Sequence, residues 1–345
     1  MNTAGGTVLP MTMLQLSPLD RPLRLAFIGA SGFGLRCVQA AHALPQVQVV
    51  GVVTNPPTFK ISYRPQGVTN VLHADIQPWA QENQLPVVLM QEKMTDPALI
   101  EAIRAWQPDF ILVVGWYHMV PKAIRALAPT GGLHASLLPR YSGGAPLVWA
   151  IINDEPEAGI SFFLFDDGVD SGPILGQRAE PILETDTIAT LYKRIESHGI
   201  ALLEDYLPRL QRGEAVGLGQ NESERTMFPQ RSPEDGLMDT TWPLRRIYNF
   251  VRAQTKPYPG AFLMHGELKL TVWACEQCPA SKNPVNQNLI PVLSPLNIFW
   301  DPAQQQLLLH TADDLWLWLK ELALNGEDMP ADKVLPRLQV GGGVF

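Results

Sequence analysis

The stretch GGLHASLLPRYSGGAPLVWAIINDEPEAGISFFLFDDGVDSG, residues 131–172, sets the reading of the whole chain. It opens on a tight apolar run holding one histidine, His134, and passes into a Gly/Pro-rich loop, Ser142-Gly143-Gly144-Ala145-Pro146. An amphipathic helical segment follows, then an apolar strand-like run from Ile160 to Phe165 and an acidic turn, Asp166-Asp167-Gly168-Val169-Asp170. His134 and Asp170 therefore flank a helix and are able to meet at one edge of a sheet. An imidazole carries a proton near neutral pH, and a carboxylate beside it fixes its tautomer, so the two make a general acid/base pair. The plainer reading of each is structural: a satisfied core histidine and a turn-capping carboxylate.

Upstream, Leu23–Ile28 stops at Gly29-Ala30-Ser31-Gly32-Phe33-Gly34, a helical segment covers Leu35–Leu44, and a second apolar run spans Val47–Val53. This β-turn-α-β unit opens a doubly wound parallel sheet. The glycines are spaced GxxGxG, and Thr54-Asn55-Pro56-Pro57 stands where a dinucleotide fold ends its second strand on an acidic residue. A tight strand-to-helix turn explains them better than a nicotinamide cofactor does. Asn55–Asp75 reads as a polar, proline-broken loop whose Lys60 and Arg64 are surface charges or contacts to an anionic substrate. Helices over Ile76–Glu82 and Asp96–Trp106 bracket a short run at Val87–Leu89. Phe110–Val114 has the pattern of a buried strand, closed by Gly115-Trp116-Tyr117-His118.

Downstream, Asp186 caps a helix over Thr187–Leu207, where Ile188, Leu191, Ile195 and Ile200 recur at roughly helical spacing. Residues 213–236 are polar and uneven, the composition of a linker. A helix over Pro243–Arg252 and short alternating runs at Ala261–His265, Lys269–Ala274, Leu307–His310 and Leu315–Leu319 predict a small β-barrel or a sandwich of short strands. The expected organisation is α/β: a doubly wound first domain over 22–212, a linker over 213–236 and a second domain over 237–340.

The 345 residues are 46% hydrophobic and 17% charged, as in ordinary globular proteins, and a net charge of −8 gives no general attraction to phosphate backbones. Three cysteines make no disulfide framework, which points to a reducing compartment. Cys275 and Cys278 form a lone CxxC without the second pair a zinc site needs, so they read as packing residues and no metal is expected. No apolar run approaches the ~20 residues of a membrane span. The N-terminal stretch lacks the pattern of a signal peptide and reads as a loosely docked extension, which leaves the cytoplasm as the expected location.

His134-Ala135-Ser136-Leu137-Leu138-Pro139, Gly143-Gly144-Ala145-Pro146 and Asp167-Gly168-Val169-Asp170-Ser171-Gly172 resemble the 10-formyltetrahydrofolate-dependent formyltransferases. In that family the pattern is Asn-x-His-x-Ser-Leu-Leu-Pro followed by a distant Asp-x-Gly. Arg252-Ala253, Pro257-Tyr258-Pro259-Gly260-Ala261-Phe262 and Leu319-Lys320-Glu321-Leu322 are similar to the C-terminal domain of the methionyl-tRNA and amino-sugar formyltransferases. The likeness spans about residues 22 to 340. It implies a Rossmann-like catalytic domain over 22–212, a small OB-like β-barrel domain over 237–340 and 10-formyltetrahydrofolate as co-substrate. It also implies His134 and Asp170 as the catalytic pair. Gly115, Trp116, Tyr117, His118, Met119 and Val120, with Asp166, Asp167 and Gly168, would line the folate pocket. Ser136 and the loop Ser142, Gly143, Gly144, Ala145 and Pro146 would sit near the acceptor.

One position departs from the pattern. The family's asparagine, two before the histidine, falls on Gly132. The favoured expectation is that a backbone N–H, or a water admitted by the missing side chain, replaces the amide donor. A slower enzyme or a degenerate site are the alternatives. Methionyl-tRNA formyltransferases carry a basic insertion after the second strand, whereas Asn55–Asp75 offers only Lys60 and Arg64. The expected acceptor is therefore a 4-amino sugar nucleotide, with initiator tRNA, another small amine, or a non-catalytic folate or nucleotide-sugar binder as alternatives.

Overall fold

A computed structural model describes residues 11–13, 17–61, 64–279, 289–293 and 296–341. The apolar runs become the strands of a nine-stranded sheet in the order Met11–Met13, Val216–Leu218, Ile174–Pro181, Glu157–Leu164, Thr130–His134, Phe110–Val114, Leu23–Gly29, Val47–Thr54, Val87–Leu89. From Thr130–His134 to Val87–Leu89 every neighbouring pair is parallel, while Glu157–Leu164 pairs antiparallel with Thr130–His134. The chain steps outward from Leu23–Gly29 through Val47–Thr54 to Val87–Leu89, then returns to the other side of Leu23–Gly29 at Phe110–Val114. That reversal leaves a crevice at the carboxyl ends of the strands, the usual ligand position in such sheets. Strands covered on both faces read as unbroken apolar runs, and Phe27, Phe110, Ile111 and Leu112 are fully buried.

The glycine turn after the first of these strands is closed by the chain itself. A Cβ on Gly29 would meet the Phe27 ring at 2.7 Å and the Val114 carbonyl, so only glycine permits the approach. Ser31 caps the helix Gly32–His42 by accepting from the Gly34 N–H at 3.0 Å, and the Leu72 carbonyl accepts from the Gly32 N–H at 3.0 Å. The amides that bind pyrophosphate in dinucleotide folds are here occupied by protein oxygens.

Three segments differ from their sequence reading. Asn55–Asp75 is not a plain loop: Thr58–Ile61 and Arg64–Thr69 form an antiparallel hairpin. Phe59 and Ile61 are buried and alternate with exposed Thr58 and Lys60, a two-residue period that the flanking prolines obscure. Residues 213–236 are not a bare linker. Val216–Leu218 enters the large sheet, and Met227–Phe228 pairs in parallel with Ser142–Gly143. The N-terminal stretch contributes an edge strand, Met11–Met13, on Val216–Leu218, while its residues 1–10 and 14–16 lie outside the described ones.

The chain forms two compact units: Met1–Gly144 with Ala158–Glu180 and Lys193–Phe228, and Ala145–Glu157 with Pro181–Tyr192 and Pro229–Phe345. In the second unit the helix Leu244–Gln254 ties the two inserted segments down. Arg252 is buried and donates to the carbonyls of Leu183 at 2.9 Å and Asp186 at 3.0 Å. Arg245 pairs with Asp154 at 2.6 Å and with Glu184. One sheet runs Ala261–His265, Leu268–Gln277, Trp316–Leu324, Gln306–His310, Ile298–Asp301, Ile290–Leu293, with Glu327–Asp328 added to Trp316–Leu324. Its neighbouring strands pair antiparallel, and among the described residues the first and last strands do not pair with each other, so the sheet is a curled half-barrel. A helix that the sequence reading lacked, Ala331–Gly341, buries Val334 and Leu338 in its core.

Cys275 and Cys278 pack into different apolar clusters, one shared with Leu263 and Val272, the other with Trp316 and Trp318. Burial pushes their thiols up to about 12 and about 11. Among the described residues no group of three or more His, Cys, Asp or Glu could hold a metal, and no helix is long and apolar enough to cross a membrane.

Candidate active site

His134 is the last residue of its strand, so its ring emerges at the carboxyl edge of the parallel sheet. Its Nε2 lies 2.8 Å from the Tyr141 carbonyl, and only a protonated Nε2 can satisfy that acceptor. Its Nδ1 faces Asp170 Oδ2 at 3.6 Å, an ion-pair separation longer than a hydrogen bond. The same oxygen of Asp170 accepts from the Gly143 N–H at 2.8 Å. With a proton on each nitrogen the ring has an acceptor on both sides. Both side chains are largely enclosed, at 12% and 20% exposure, and the Phe163 ring meets the imidazole edge-on.

The backbone here is bent into uncommon conformations. Tyr141 and Asp170 have φ of +57° and +51°, which non-glycine residues adopt at a cost and which concentrate at functional sites. Gly143, at φ +92°, brings its N–H to Asp170 while its Cα faces the Phe228 carbonyl too closely for a Cβ.

Much of what holds these loops comes from the 213–236 stretch, and the sequence reading missed it. Arg225 Nη1 donates to Ser142 Oγ at 2.9 Å and to the Val169 carbonyl at 3.1 Å. Its Nε and Nη2 grip the Glu222 carboxylate at 2.6 and 2.8 Å. The Glu222 hydrogen bond, with smaller contributions from Asp170 and Asp166, holds the Arg225 pKa above its ordinary value. Gln220 Nε2 donates to the carbonyls of Asp170 at 2.8 Å and Gly172 at 2.7 Å. Phe228 stacks on Tyr141 with centroids 4.7 Å apart. No local pattern signals these partners, which lie about 50 to 85 positions from what they touch.

The other expected site residues divide by what they contact. Gly115 has φ +62° and presses against Ser31 where a Cβ would stand. Trp116 and His118 stack obliquely at 5.4 Å, with Phe59 5.0 Å from His118 and 5.5 Å from Tyr117. Trp116 Nε1 and His118 Nε2 are buried without a protein partner, and burial lowers the His118 pKa below 6.5. Met119 is exposed, and Val120 packs in the core. Asp166 closes its own turn by accepting from the Gly168 N–H at 2.9 Å and the Ser171 hydroxyl at 2.6 Å. The Arg125 guanidinium, 2.6 Å from Asp167, holds that carboxyl below its usual value.

The residues expected near the acceptor are occupied within the loop. Ser136 Oγ donates to the Arg140 carbonyl at 2.7 Å, and the Gly144 N–H donates to the Phe228 carbonyl at 2.9 Å. Ser142, fully buried, donates to the Pro139 carbonyl at 3.2 Å and accepts from Arg225. Ala145 and Pro146 fall in the second unit, where they start the helix Pro146–Ile152.

At Gly132 the backbone is closely packed. A Cβ there would lie 2.5 Å from the Val113 carbonyl and 2.9 Å from the Phe165 ring, so the space beside the backbone is already filled. The strand is clamped at this residue by Val113 on one side and Phe163 on the other. Phe165 packs on the same apolar cluster as Trp116.

Residues 23–207 match the family model for formyl transferase, and residues 231–338 match that for formyl transferase, C-terminal domain. The fold is similar to that of the N-formyltransferase from Helicobacter canadensis in complex with folinic acid and dTDP-3-aminofucose. The TM-score is 0.61 at 18% identity, over 86% of this chain and 98% of that one. A sugar N-formyltransferase from Shewanella sp. gives a TM-score of 0.56 at 16% identity, over 71% of this chain and 94% of that one. HypX from Aquifex aeolicus in complex with tetrahydrofolic acid gives 0.59 at 16% identity, over 92% of this chain. The match covers 47% of HypX, so the chain spans about half the length of that relative.

Proposed function

The chain belongs to the formyl transferase family, and we propose that it moves a formyl group from 10-formyltetrahydrofolate to a primary amine with His134 and Asp170 as its acid/base pair. The observation that carries this reading is the His134 Nδ1 to Asp170 Oδ2 contact at 3.6 Å, with the far nitrogen of the ring already committed to Tyr141. When bound, the folate supplies an activated formyl group on a nitrogen. A proton on Nδ1 is not consumed by a hydrogen bond at that distance, so it is the one left to donate to a carbonyl oxygen gaining negative charge. Asp170 Oδ2 is placed to accept the proton that an attacking amine must lose, and His134 to return one to the departing nitrogen. The Gly143 N–H keeps that carboxylate oriented.

Gly115, Trp116, Tyr117, His118, Met119 and Val120 suit one wall of a folate pocket. Trp116 Nε1 and His118 Nε2 are polar atoms without protein partners among aromatic rings, which fits a flat heterocycle with hydrogen-bonding edges. The two relatives with folate compounds bound support the same ligand class.

For the acceptor we favour an amino sugar carried on a nucleotide, the class bound by the Helicobacter relative. The segment Asn55–Asp75 is a short hairpin without a basic run, which weakens the case for initiator tRNA. Free, buried cysteines suit a reducing compartment, the cytoplasm. The test is consumption of 10-formyltetrahydrofolate in the presence of a panel of UDP- and dTDP-amino sugars and methionyl-tRNA. Formylation of an amino sugar supports the reading. Formylation of the tRNA alone would reverse the acceptor assignment, and folate binding without transfer to any amine would mark a binder.

A further inference from the structure

One side chain ties together the two segments that suit the folate. The strand Phe110–Val114 runs into residues 115–120, and after Pro121 the chain enters the short helix Lys122–Arg125. Arg125 folds back from that helix, and its Nε donates to the Val120 carbonyl at 3.1 Å. Its Nη2 donates to Asp167 Oδ1 at 2.6 Å, in the acidic turn beyond the strand Glu157–Leu164.

The two ends of this link are unequal. Val120 and Ile124 are buried in the core, and the Arg125 side chain is only 17% exposed, so the arginine has a fixed mount. The Asp167 side chain is 75% exposed and belongs to a surface turn. That turn is closed on itself: Asp166 accepts from the Gly168 N–H and the Ser171 hydroxyl, and the Leu164 N–H donates to the Pro173 carbonyl across its neck. A hold on Asp167 is therefore a hold on the whole turn. Gln220 grips the other side, at the carbonyls of Asp170 and Gly172. The Arg125 hydrogen bond, with the charges of Lys122 and Arg125, keeps the Asp167 carboxyl below its usual value, so both partners are ionised at neutral pH.

We propose that Arg125 is a positioning residue for the co-substrate, fixing the 166–171 turn against the 115–120 wall and thereby setting the affinity for the folate. The proposal rests on the folate reading above and adds to it a residue that acts through Val120 and Asp167.

The sign of one substitution separates positioning from plain attraction. A folate carries carboxylates. If Arg125 only drew that anion in, removing the neighbouring negative charge in Asp167→Ala would tighten binding. If Arg125 works by holding the turn, the same change loosens the turn and weakens binding.

The test is calorimetric titration of folinic acid into full-length wild type, Arg125→Gln, Asp167→Ala and the double variant. Each single change is expected to weaken binding by about three- to fivefold, the upper range for an ion pair with one exposed partner. The double variant should bind within about twofold of Arg125→Gln, because the two residues act as one link. With turnover, KM for 10-formyltetrahydrofolate should rise more than kcat falls. A link that only stabilised the fold would lower Tm and leave the Kd of the folded protein where it was, which would overturn the proposal. Tighter binding in Asp167→Ala would overturn it too. If Arg125→Gln fails to fold, the exposed Asp167→Ala change decides by its sign. Wild type that does not bind folinic acid would end the folate reading and this proposal with it, whereas equal binding by wild type and Asp167→Ala would overturn the proposal alone.

Discussion

At Gly132 close packing decides which side chain the strand can carry. With the Val113 carbonyl and the Phe165 ring on its open side, nothing larger than hydrogen fits. Gly132→Asn is therefore expected to lower stability by about 1–3 kcal/mol through overpacking and to bring no gain in rate. Urea unfolding checks the first point, and a paired Phe165→Ala change should recover only part of the loss, because the carbonyl stays. A stable, faster Gly132→Asn protein would show that the slot is open. The substitution itself was visible in the sequence, as were His134 and Asp170 through their motifs. What filled the slot was not, because Phe165 lies just past another strand, Glu157–Leu164, and meets Gly132 only once the sheet is paired. Arg225, Gln220 and Phe228 were invisible for the same reason, lying in a polar stretch that carries no period.

At the level of elements, the helix Leu244–Gln254 holds the inserted segments of the second unit through Arg245, which keeps the carboxyls of Asp154 and Glu184 below their usual 3.8 and 4.5. A carboxyl depressed in the folded state stabilises above its unfolded pKa, and that stability is lost as pH falls through the folded value. The urea midpoint should thus drop as pH falls from about 5 to below 4, and Arg245→Leu should flatten that drop while weakening the protein at pH 7. Equal pH slopes in the two proteins would show that the ion pairs are too exposed to matter. Parallel strands were legible because burial on both faces leaves continuous apolar runs. The hairpin at 58–69 and the last helix were not, since prolines at 56, 57 and 336 break the patterns by which such elements are read. The antiparallel strands of the second unit were legible because alternation marks a strand's two faces, though it does not say whether the sheet's edges meet.

For the molecule as a whole, the net charge of −8 bears on the partner. A protein gripping tRNA through phosphate contacts loses affinity steeply with salt, whereas a nucleotide sugar with two phosphates loses little. Acceptor binding measured from 50 to 300 mM salt should weaken less than about tenfold; a loss of a thousandfold would favour tRNA. The chemistry itself is tested most directly by a single-turnover experiment, with enzyme in excess over 10-formyltetrahydrofolate and the acceptor found by the panel. His134→Ala and Asp170→Asn are each expected to slow formyl transfer by at least about a hundredfold with folate affinity within a few-fold of wild type. Transfer at the wild-type rate in either variant would contradict the assignment of the pair.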